Sequence, residues 1–457
     1  MERKISEVLS EWKSKEGHKP LILRGARQVG KTYSIREFGL KNYSRMIELN
    51  FDEKSEYKTL FEYDRSADTF YNRLGFEFDI DSFDDCLLFF DEIQSCPGAL
   101  SALKHLCIDG RCDIICSGSL LGNIVDNTGL LPLGYVETQY MNPMDFEEFL
   151  WAMGFSHDKT DIIRDHVRKR TPFDRFVLRK LNDLFKRYVT IGGMPESVLA
   201  YSETGLYRNS FDCLRNIQDR LFEDVAKYAT SPIHRLRIEQ CIESIPVQLS
   251  RESGNSFKYS EVSQNRGYGS REYFLALDWL KNAGIIKMCH NLEEISEPFR
   301  IKSDGNTFKV YMSDTGVLTM MLGPGVAKGI IEDTFEINNG AIMENAIAQS
   351  LVSKGYTLHY FSSTSRRMEV DFVINLNGTL TAIEVKSGRK KSSKSLNKAL
   401  SEDKAIGLGM KVSDSNISVD ENGVLHLPFF GPAFLEDCHP LEPRPIDYLD
   451  DLKDRLS

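Results

Sequence analysis

Leu21-Ile22-Leu23-Arg24-Gly25-Ala26-Arg27-Gln28-Val29-Gly30-Lys31-Thr32 runs from a short buried strand into a Gly-x-x-x-x-Gly-Lys-Thr turn, and a helix is expected from about Lys31 to Leu40. Gly25 and Gly30 can take backbone angles that a side chain forbids, so the loop can wrap an anion with its N–H groups pointing inward. Lys31 is then placed to reach the β/γ-phosphates of a nucleotide. The Thr32 hydroxyl can ligate Mg²⁺ at the positive end of the following helix. The anion-binding set expected here is Gly25, Ala26, Arg27, Gln28, Val29, Gly30, Lys31 and Thr32, with Tyr33 next to it.

A phosphate-binding loop alone does not specify hydrolysis. The second half comes from Cys86-Leu87-Leu88-Phe89-Phe90-Asp91-Glu92, an apolar run that ends in two carboxylates. Such a run fits a central parallel strand buried on both faces. Asp91 at its end can hold Mg²⁺ through water, and Glu92 is placed to polarise an attacking water. A third run, Cys112-Asp113-Ile114-Ile115-Cys116-Ser117-Gly118-Ser119, fits the neighbouring strand, and Ser117 or Ser119 could sense the γ-phosphate. The catalytic set is therefore Glu92, Lys31 and Ser119, and the metal pair is Thr32 with Asp91.

Composition bounds the rest. A chain of 457 residues implies two to four domains. Its net charge of −10 argues against a protein coated for non-specific nucleic-acid binding, though a local basic groove remains compatible. No run approaches the ~18 apolar residues of a membrane span, and the Met1-Glu2-Arg3-Lys4 start leads into no apolar signal core. A cytoplasmic protein without membrane partners is expected. The nine cysteines form no Cys-x-x-Cys or Cys/His cluster, which excludes structural zinc and predicts free thiols.

In chain order, an amphipathic helix is expected over residues 2–15, and Met46 to Phe51 should form the next strand. Ala99 to Leu106 gives a linking helix, and Tyr135 to Tyr140 the last strand. Alternating strands and helices predict a parallel sheet with helices on both faces, ending near Phe155. From His157 to Tyr228 the pattern is helical, broken at Gly192-Gly193-Met194-Pro195. Its basic residues Arg164, Arg168, Lys169 and Arg170 read as a solvated face, with a phosphate-contacting surface as the rival. Residues 235–294 resemble a winged helix, with helices at Arg237 to Leu249, from Tyr259, and at Ser270 to Asn282, then a β-wing from Gly284. Such a module can enter the DNA major groove, but Glu272 and Asp278 on its third helix repel phosphate.

Between Glu332 and Phe434 the order is a helix bearing Glu344, a strand at Thr357 to Phe361, a strand at Glu369 to Ile374, and a strand at Leu380 to Lys386. Side chains alternate along a strand, so Glu384 and Lys386 point the same way and Asp371 can join them. Two carboxylates and a lysine in one cleft can hold Mg²⁺ or Mn²⁺ and orient a water on a phosphodiester. The second site expected is Glu344, Asp371 and Glu384 with Lys386. Arg389-Lys390-Lys391, Lys394 and Lys398 follow, with Lys390, Lys391, Lys394 and Lys398 on one helical face that could track DNA, or a solvated loop.

With these residues in view, the chain resembles, over nearly its full length, a large prokaryotic group of AAA-superfamily ATPases. In that group an N-terminal ATPase part precedes a C-terminal domain of unknown function similar to the PD-(D/E)XK restriction-endonuclease fold. The matching motifs are residues 25–32, Phe89-Phe90-Asp91-Glu92-Ile93-Gln94, Ser117-Gly118-Ser119, Gly192-Gly193-Met194-Pro195 and Tyr311-Met312-Ser313-Asp314-Thr315-Gly316. Gly340 with Glu344-Asn345, Glu369-Val370-Asp371 and Ile383-Glu384-Val385-Lys386 complete them. The resemblance implies ATP and Mg²⁺ binding through Gly30, Lys31, Thr32 and Asp91, with Glu92 catalytic. Similar proteins usually carry Gly-Arg before the last ATPase strand; here the pair is Gly134-Tyr135.

The expected architecture is an α/β chain: an ATPase domain at 1–155 and a helical lid at 156–232, then a winged-helix-like domain at 233–325. A nuclease-like domain at 326–435 and a tail at 436–457 follow. The expected function is an ATP-hydrolysing switch that controls a nuclease-like domain acting on DNA. Its rivals are an ATP-dependent dock for a protein partner, with a catalytically silent nuclease-like fold, and a defence-type sensor that forms homo-oligomers with ATP.

Overall fold

The computed structural model describes residues 1–62, 64, 66–118, 131–132, 134–251, 256–263, 269–334, 339–387 and 394–438. Ser119, the Arg389-Lys390-Lys391 run and the tail from 439 lie outside the described residues.

The N-terminal part opens with α1 (Ile5–Ser14) and β1 (Leu21–Arg24), followed by α2 (Lys31–Asn42), β2 (Arg45–Asn50) and α3 (Ala67–Phe78). Next come β3 (Cys86–Asp91), α4 (Pro97–Asp109), β4 (Asp113–Gly118) and β5 (Glu137–Tyr140). The five strands stand in the order β2-β3-β4-β1-β5, every neighbouring pair parallel. Alternation assigns the strand residues to two cores. Ile22, Leu88, Phe90, Ile114 and Cys116 enter one, while Leu21, Leu23, Leu87, Phe89 and Ile115 enter the other. All six residues of β3 are buried, as its unbroken apolar run requires. Strand order places the C-terminal ends of β1 and β3 on either side of β4, at the edge where doubly wound sheets bind ligands.

The helical middle comprises α5 (Phe146–Ala152), α6 (His157–Lys169), α7 (Arg175–Ile191), α8 (Pro195–Thr204) and α9 (Tyr207–Tyr228). Asp145 and Glu148 form a reciprocal capping box that starts α5. The basic residues of α6 are taken up locally: Arg164 pairs with Asp161 and Glu147, while Arg168 and Lys169 pair with Asp165. That favours the solvated face over the phosphate-contacting one.

Beyond it lie α10 (Pro232–Leu249), α11 (Ser270–Asn282) and β6 (Ile286–Leu292), then α12 (Phe299–Lys302), β7 (Ser303–Met312), α13 (Thr315–Leu322) and α14 (Pro324–Glu332). The helix expected from Tyr259 is, among the described residues, a single 3₁₀ turn at Tyr259–Glu261. The β6–β7 hairpin is present, yet β6 also pairs in parallel with β8 (His359–Ser363). One sheet, β7-β6-β8-β9 with β9 at Met368–Val370, therefore crosses the 325/326 boundary expected from sequence. The hydrophobic core does the same, running as one cluster from Met144 to Leu435.

The last part contains α15 (Asn339–Ser353), β8, β9 (Met368–Val370), β10 (Phe372–Leu376), β11 (Thr379–Lys386), α16 (Lys394–Glu402), β12 (Leu408–Ser413), β13 (Ser418–Val419) and β14 (Leu425–Pro428). The single strand expected over Glu369 to Ile374 is broken at Asp371, and its halves join different sheets. The carboxylate of Asp371 accepts the Val385 N–H at 2.7 Å, which holds the break against β11. A mixed sheet, β10-β11-β12-β14-β13, completes this end.

Candidate functional site

The loop between β1 and α2 lines a cleft of about 700 Å³ with Arg27, Gln28, Gly30, Lys31, Thr32 and Tyr33, and Glu92 lies across from it. Gly25 has φ +152°, and a Cβ there would stand 2.2 Å from the Met141 carbonyl oxygen, so only glycine lets the chain turn against that backbone. Gln28 takes a left-handed φ of 64°, and its buried Oε1 has no partner among the described residues. Strained backbone and an orphaned oxygen in a small loop are features a ligand site retains. Gly25, Ala26 and Val29 act as framework: Lys31 Nζ donates to the carbonyls of Gly25 (2.9 Å) and Ala26 (2.8 Å), and Arg3 donates to that of Val29 (2.6 Å). Tyr33 stands exposed on the first turn of α2 at the cleft wall.

Asp91 is the hub. It accepts from the Thr32 hydroxyl at 3.2 Å, from Asn50 Nδ2 at 3.2 Å, from the Glu92 N–H at 3.2 Å, and from Ser117 Oγ. Burial pushes its pKa up, opposed by the Ser117 bond and reinforced by the Glu92 and Glu48 charges. Glu92 takes a left-handed φ of 52° immediately after β3 and accepts from Gln94 Nε2. Lys31 is pushed down to about 8 by burial, with Glu92 and Asp91 working the other way. An ammonium, two carboxylates and two hydroxyls thus converge where a loop presents N–H groups. That set can hold a polyanion together with a hard cation. Of the two serines proposed from sequence, Ser117 reaches this hub.

The far side of the cleft is formed by Pro195, Glu196 and Leu199 of α8, and its mouth by Met1 and Arg3. Arg3 is buried and joins the loop, through the Val29 carbonyl, to Glu148 (2.9 Å) and the Asn142 carbonyl (2.8 Å). Just before α8, a Cβ on Gly193 would sit 2.0 Å from the Met144 carbonyl oxygen. Its N–H donates at 2.6 Å to Asp314, a buried carboxylate that also caps α13 through Val317 N–H (3.0 Å). Burial pushes Asp314 up to about 6. Gln349 accepts from Thr315 N–H (2.9 Å) and its hydroxyl (2.7 Å), and Asn345 accepts from Met312 N–H (2.8 Å). Both lie on α15, which carries Glu344. A buried hydrogen-bonded chain therefore runs from the turn before α8 through Asp314 and Gln349 to α15, the helix that carries Glu344.

That cluster is not the one expected. Lys309 of β7, 1 % exposed, lies among three carboxylates: Glu344 at 2.8 Å, Glu369 at 3.3 Å and Asp371 at 4.0 Å. Tyr311 OH donates to Glu344 as well. Burial works against the Lys309 charge, but Glu344, Asp371 and Glu369 outweigh it and raise its pKa. Burial and Glu344 push Asp371 up in turn. Glu384 instead pairs with Lys386 at 2.7 Å. Among the described residues no group of three or more His, Cys, Asp or Glu side chains is placed to hold a metal ion. Of the expected Glu344–Asp371–Glu384 set, Glu344 and Asp371 meet the Lys309 ammonium, and Glu384 meets Lys386. Of the expected basic face, Lys398 is already engaged by the Arg366 carbonyl (2.5 Å) and Glu402 (3.6 Å).

Sequence reasoning missed Asn50, Arg3, Lys309 and Asp224, the last an α9 residue that meets Arg27. A signal existed for Asn50: it ends the strand beside β3, and register sets it opposite Asp91. Lys309 and Asp224 reach their partners only through tertiary packing.

Residues 17–150 match a family described as an AAA domain. Residues 182–326 and 339–430 match two domains of unknown function, DUF8612 and DUF4143. No curated protein matches the chain. Among solved structures, the chain is similar to the Aeropyrum pernix ORC1 protein in complex with DNA at 14 % identity and TM-score 0.27, covering 72 % of this chain and 91 % of that one. Drosophila ORC bound to DNA matches at 13 % identity and TM-score 0.28, over 72 % and 94 %. C. elegans PCH-2 matches at 15 % and 0.27, over 48 % and 65 %. The likeness to an AAA domain thus covers β1 to α5, the part of the chain that carries the cleft. No described helix is long and apolar enough to cross a membrane.

Proposed function

We propose that the protein is a Mg²⁺-dependent ATPase working as a switch, with the nucleotide state of its AAA domain passed to the C-terminal domain. The observation that carries this is the convergence of Thr32 and Ser117 on Asp91, beside Lys31 and Glu92, in a cleft of about 700 Å³. The loop N–H groups and Lys31 hold the β/γ-phosphates, and Thr32 with Asp91 holds Mg²⁺. The metal supplies charge neutralisation on the transferring phosphoryl group. Glu92, fixed by Gln94, takes the proton of the attacking water. The hydrogen-bonded chain from Gly193 through Asp314, Gln349 and Asn345 to α15 supports transmission toward Glu344. Phosphate release from ATP that needs Mg²⁺ and stops with a chelator tests the reading; none with either would sink it.

Lys31 gives this site a pH signature. With its free-site pKa near 8, Lys31 loses its proton just above neutrality, whereas bound phosphates hold it charged. Binding then takes up a proton above pH 8, so affinity falls as pH rises. One titrating group predicts a loss of roughly fivefold between pH 8 and pH 9, and little change from pH 7 to 7.5. Calorimetric titration with an ATP analogue checks it; a flat profile to pH 9 would place the lysine elsewhere in charge.

For the C-terminal domain two readings remain, a nuclease acting on DNA and a catalytically silent dock for a partner. Asp371, Glu384 and Lys386 are adjacent as a nuclease needs, and buried Glu384 Oε2 has no partner among the described residues. Lys309 favours the dock, since its ammonium stands among the carboxylates that a divalent ion would require. We expect no cleavage of plasmid or single-stranded DNA with Mn²⁺, with or without ATP, above the level of Asp371→Ala. Cleavage by wild type that disappears in Asp371→Ala would restore the nuclease. A mass increase on adding ATP would instead mark the oligomerising sensor.

A further inference from the structure

Arg27, the third residue of the phosphate loop, has one face in the nucleotide cleft and the other on α9. Its Nη1 meets Asp224 Oδ1 at 2.5 Å and its Nη2 meets Asp52 at 3.9 Å. The Asp224 side chain is 6 % exposed, while that of Arg27 is 34 % exposed and lines the same cleft as Lys31, Thr32 and Glu92. The remaining charges close a short network: Lys227, one turn along α9, meets Asp52 at 3.0 Å, and Ser95 donates to Asp52 at 2.5 Å. α9 also approaches α8 on the cleft wall, through Arg220 and Glu196 at 3.8 Å. The loop is thereby tied to the helix that packs on the far wall of its own cleft.

We propose that Arg27 is the residue that recognises the terminal phosphate, its guanidinium exchanging from Asp224 to the γ-phosphate when ATP fills the loop, so that α9 is released from the loop. This rests on the ATP reading above. A terminal phosphate carries more charge than a carboxylate and offers three oxygens to a planar fork of donors, so it outcompetes Asp224 for the same guanidinium. ADP lacks that group and leaves the Arg27–Asp224 pair in place. Arg27 also supplies a cation in cis to the reacting phosphoryl group. Asp224 is then a positioning residue. It parks the cation in the empty and ADP states and couples the phosphate to α9.

The test is calorimetric titration of the full chain with Mg²⁺ and either a non-hydrolysable ATP analogue or ADP. Arg27→Ala should lose on the order of tenfold to a hundredfold in affinity for the analogue, the usual worth of a charge-assisted contact. Its ADP affinity should change less than about twofold. Asp224→Asn, which removes the competitor, should bind the analogue several-fold more tightly and ADP as before. Hydrogen exchange across Tyr207–Tyr228 should rise with the analogue in wild type, and without nucleotide in Asp224→Asn. Arg27→Lys keeps the charge and guards against a folding defect; it should retain part of the preference for the analogue. Equal losses for both nucleotides in Arg27→Ala, or unchanged affinity in Asp224→Asn, would reduce the pair to a structural ion pair and overturn the proposal. If wild type bound neither nucleotide, the ATP reading itself would fail, which is a different result.

Discussion

Lys31→Ala should weaken ATP binding at least a hundredfold while leaving the fold standing. In the structure Lys31 is 6 % exposed, and its ammonium donates to two carbonyls of its own loop, Gly25 and Ala26. Those bonds hold it at the cleft floor, where it turns onto phosphate oxygens. Charge-assisted hydrogen bonds contribute about 1.5–3 kcal/mol each, so losing two amounts to about two orders of magnitude or more in affinity. Stability should move little. The side chain packs no apolar core, and burial already disfavours its charge, as its depressed pKa records. Alanine removes that desolvated charge and a good helix former replaces it at the first turn of α2. Calorimetry with an ATP analogue, beside a thermal melt, separates the two effects. Unchanged affinity would remove the cleft from consideration as the nucleotide site, whereas a collapsed melt would mean that the Gly25 and Ala26 contacts hold the loop together.

How much of this could be read in advance follows from where each constraint resides. The parallel sheet and the loop after β1 were legible because their requirements are local in the chain. Buried strands need unbroken apolar runs, and a loop that turns against the Met141 carbonyl needs glycine at position 25. Asp91 and Glu92 follow β3 directly, so strand and carboxylates are read together. Arg27 and Asp224 are 197 residues apart, and Lys309 meets Glu344 and Asp371 from a strand that pattern alone assigned to another domain. No periodicity announces such pairs. Sequence order lines up Glu344, Asp371 and Glu384, but not the buried lysine that pairs with two of them. The domain boundary at 325/326 was drawn from a change of pattern, and β6 pairing with β8 across it is a tertiary fact. Ser119 lies outside the described residues, and Ser117 meets Asp91 because β3 and β4 are adjacent.

Glu92→Gln should bind ATP within about threefold of wild type yet turn it over on the order of a hundredfold more slowly or worse, the usual worth of a positioned general base. Glutamine keeps the shape and can still accept from Gln94, so the left-handed turn at position 92 and the Gln94 contact survive. What it loses is the ability to take a proton from water. Asp91→Asn is expected to behave differently. Asp91 accepts from Thr32, Asn50, Ser117 and the Glu92 N–H, and its charge holds Mg²⁺ with Thr32, so neutralising it should weaken Mg²⁺-dependent binding rather than the chemical step alone. Single-turnover phosphate release, run beside analogue titration, distinguishes a lost base from a lost metal site. If Glu92→Gln released phosphate at the wild-type rate, the base would have to be another carboxylate. Asp224 is then a candidate: it is buried beside Arg27, and burial pushes it up to about 6, a value suited to accepting a proton near neutrality. In that case Asp224→Asn would abolish turnover while leaving analogue affinity unchanged, instead of tightening it as the exchange of Arg27 requires.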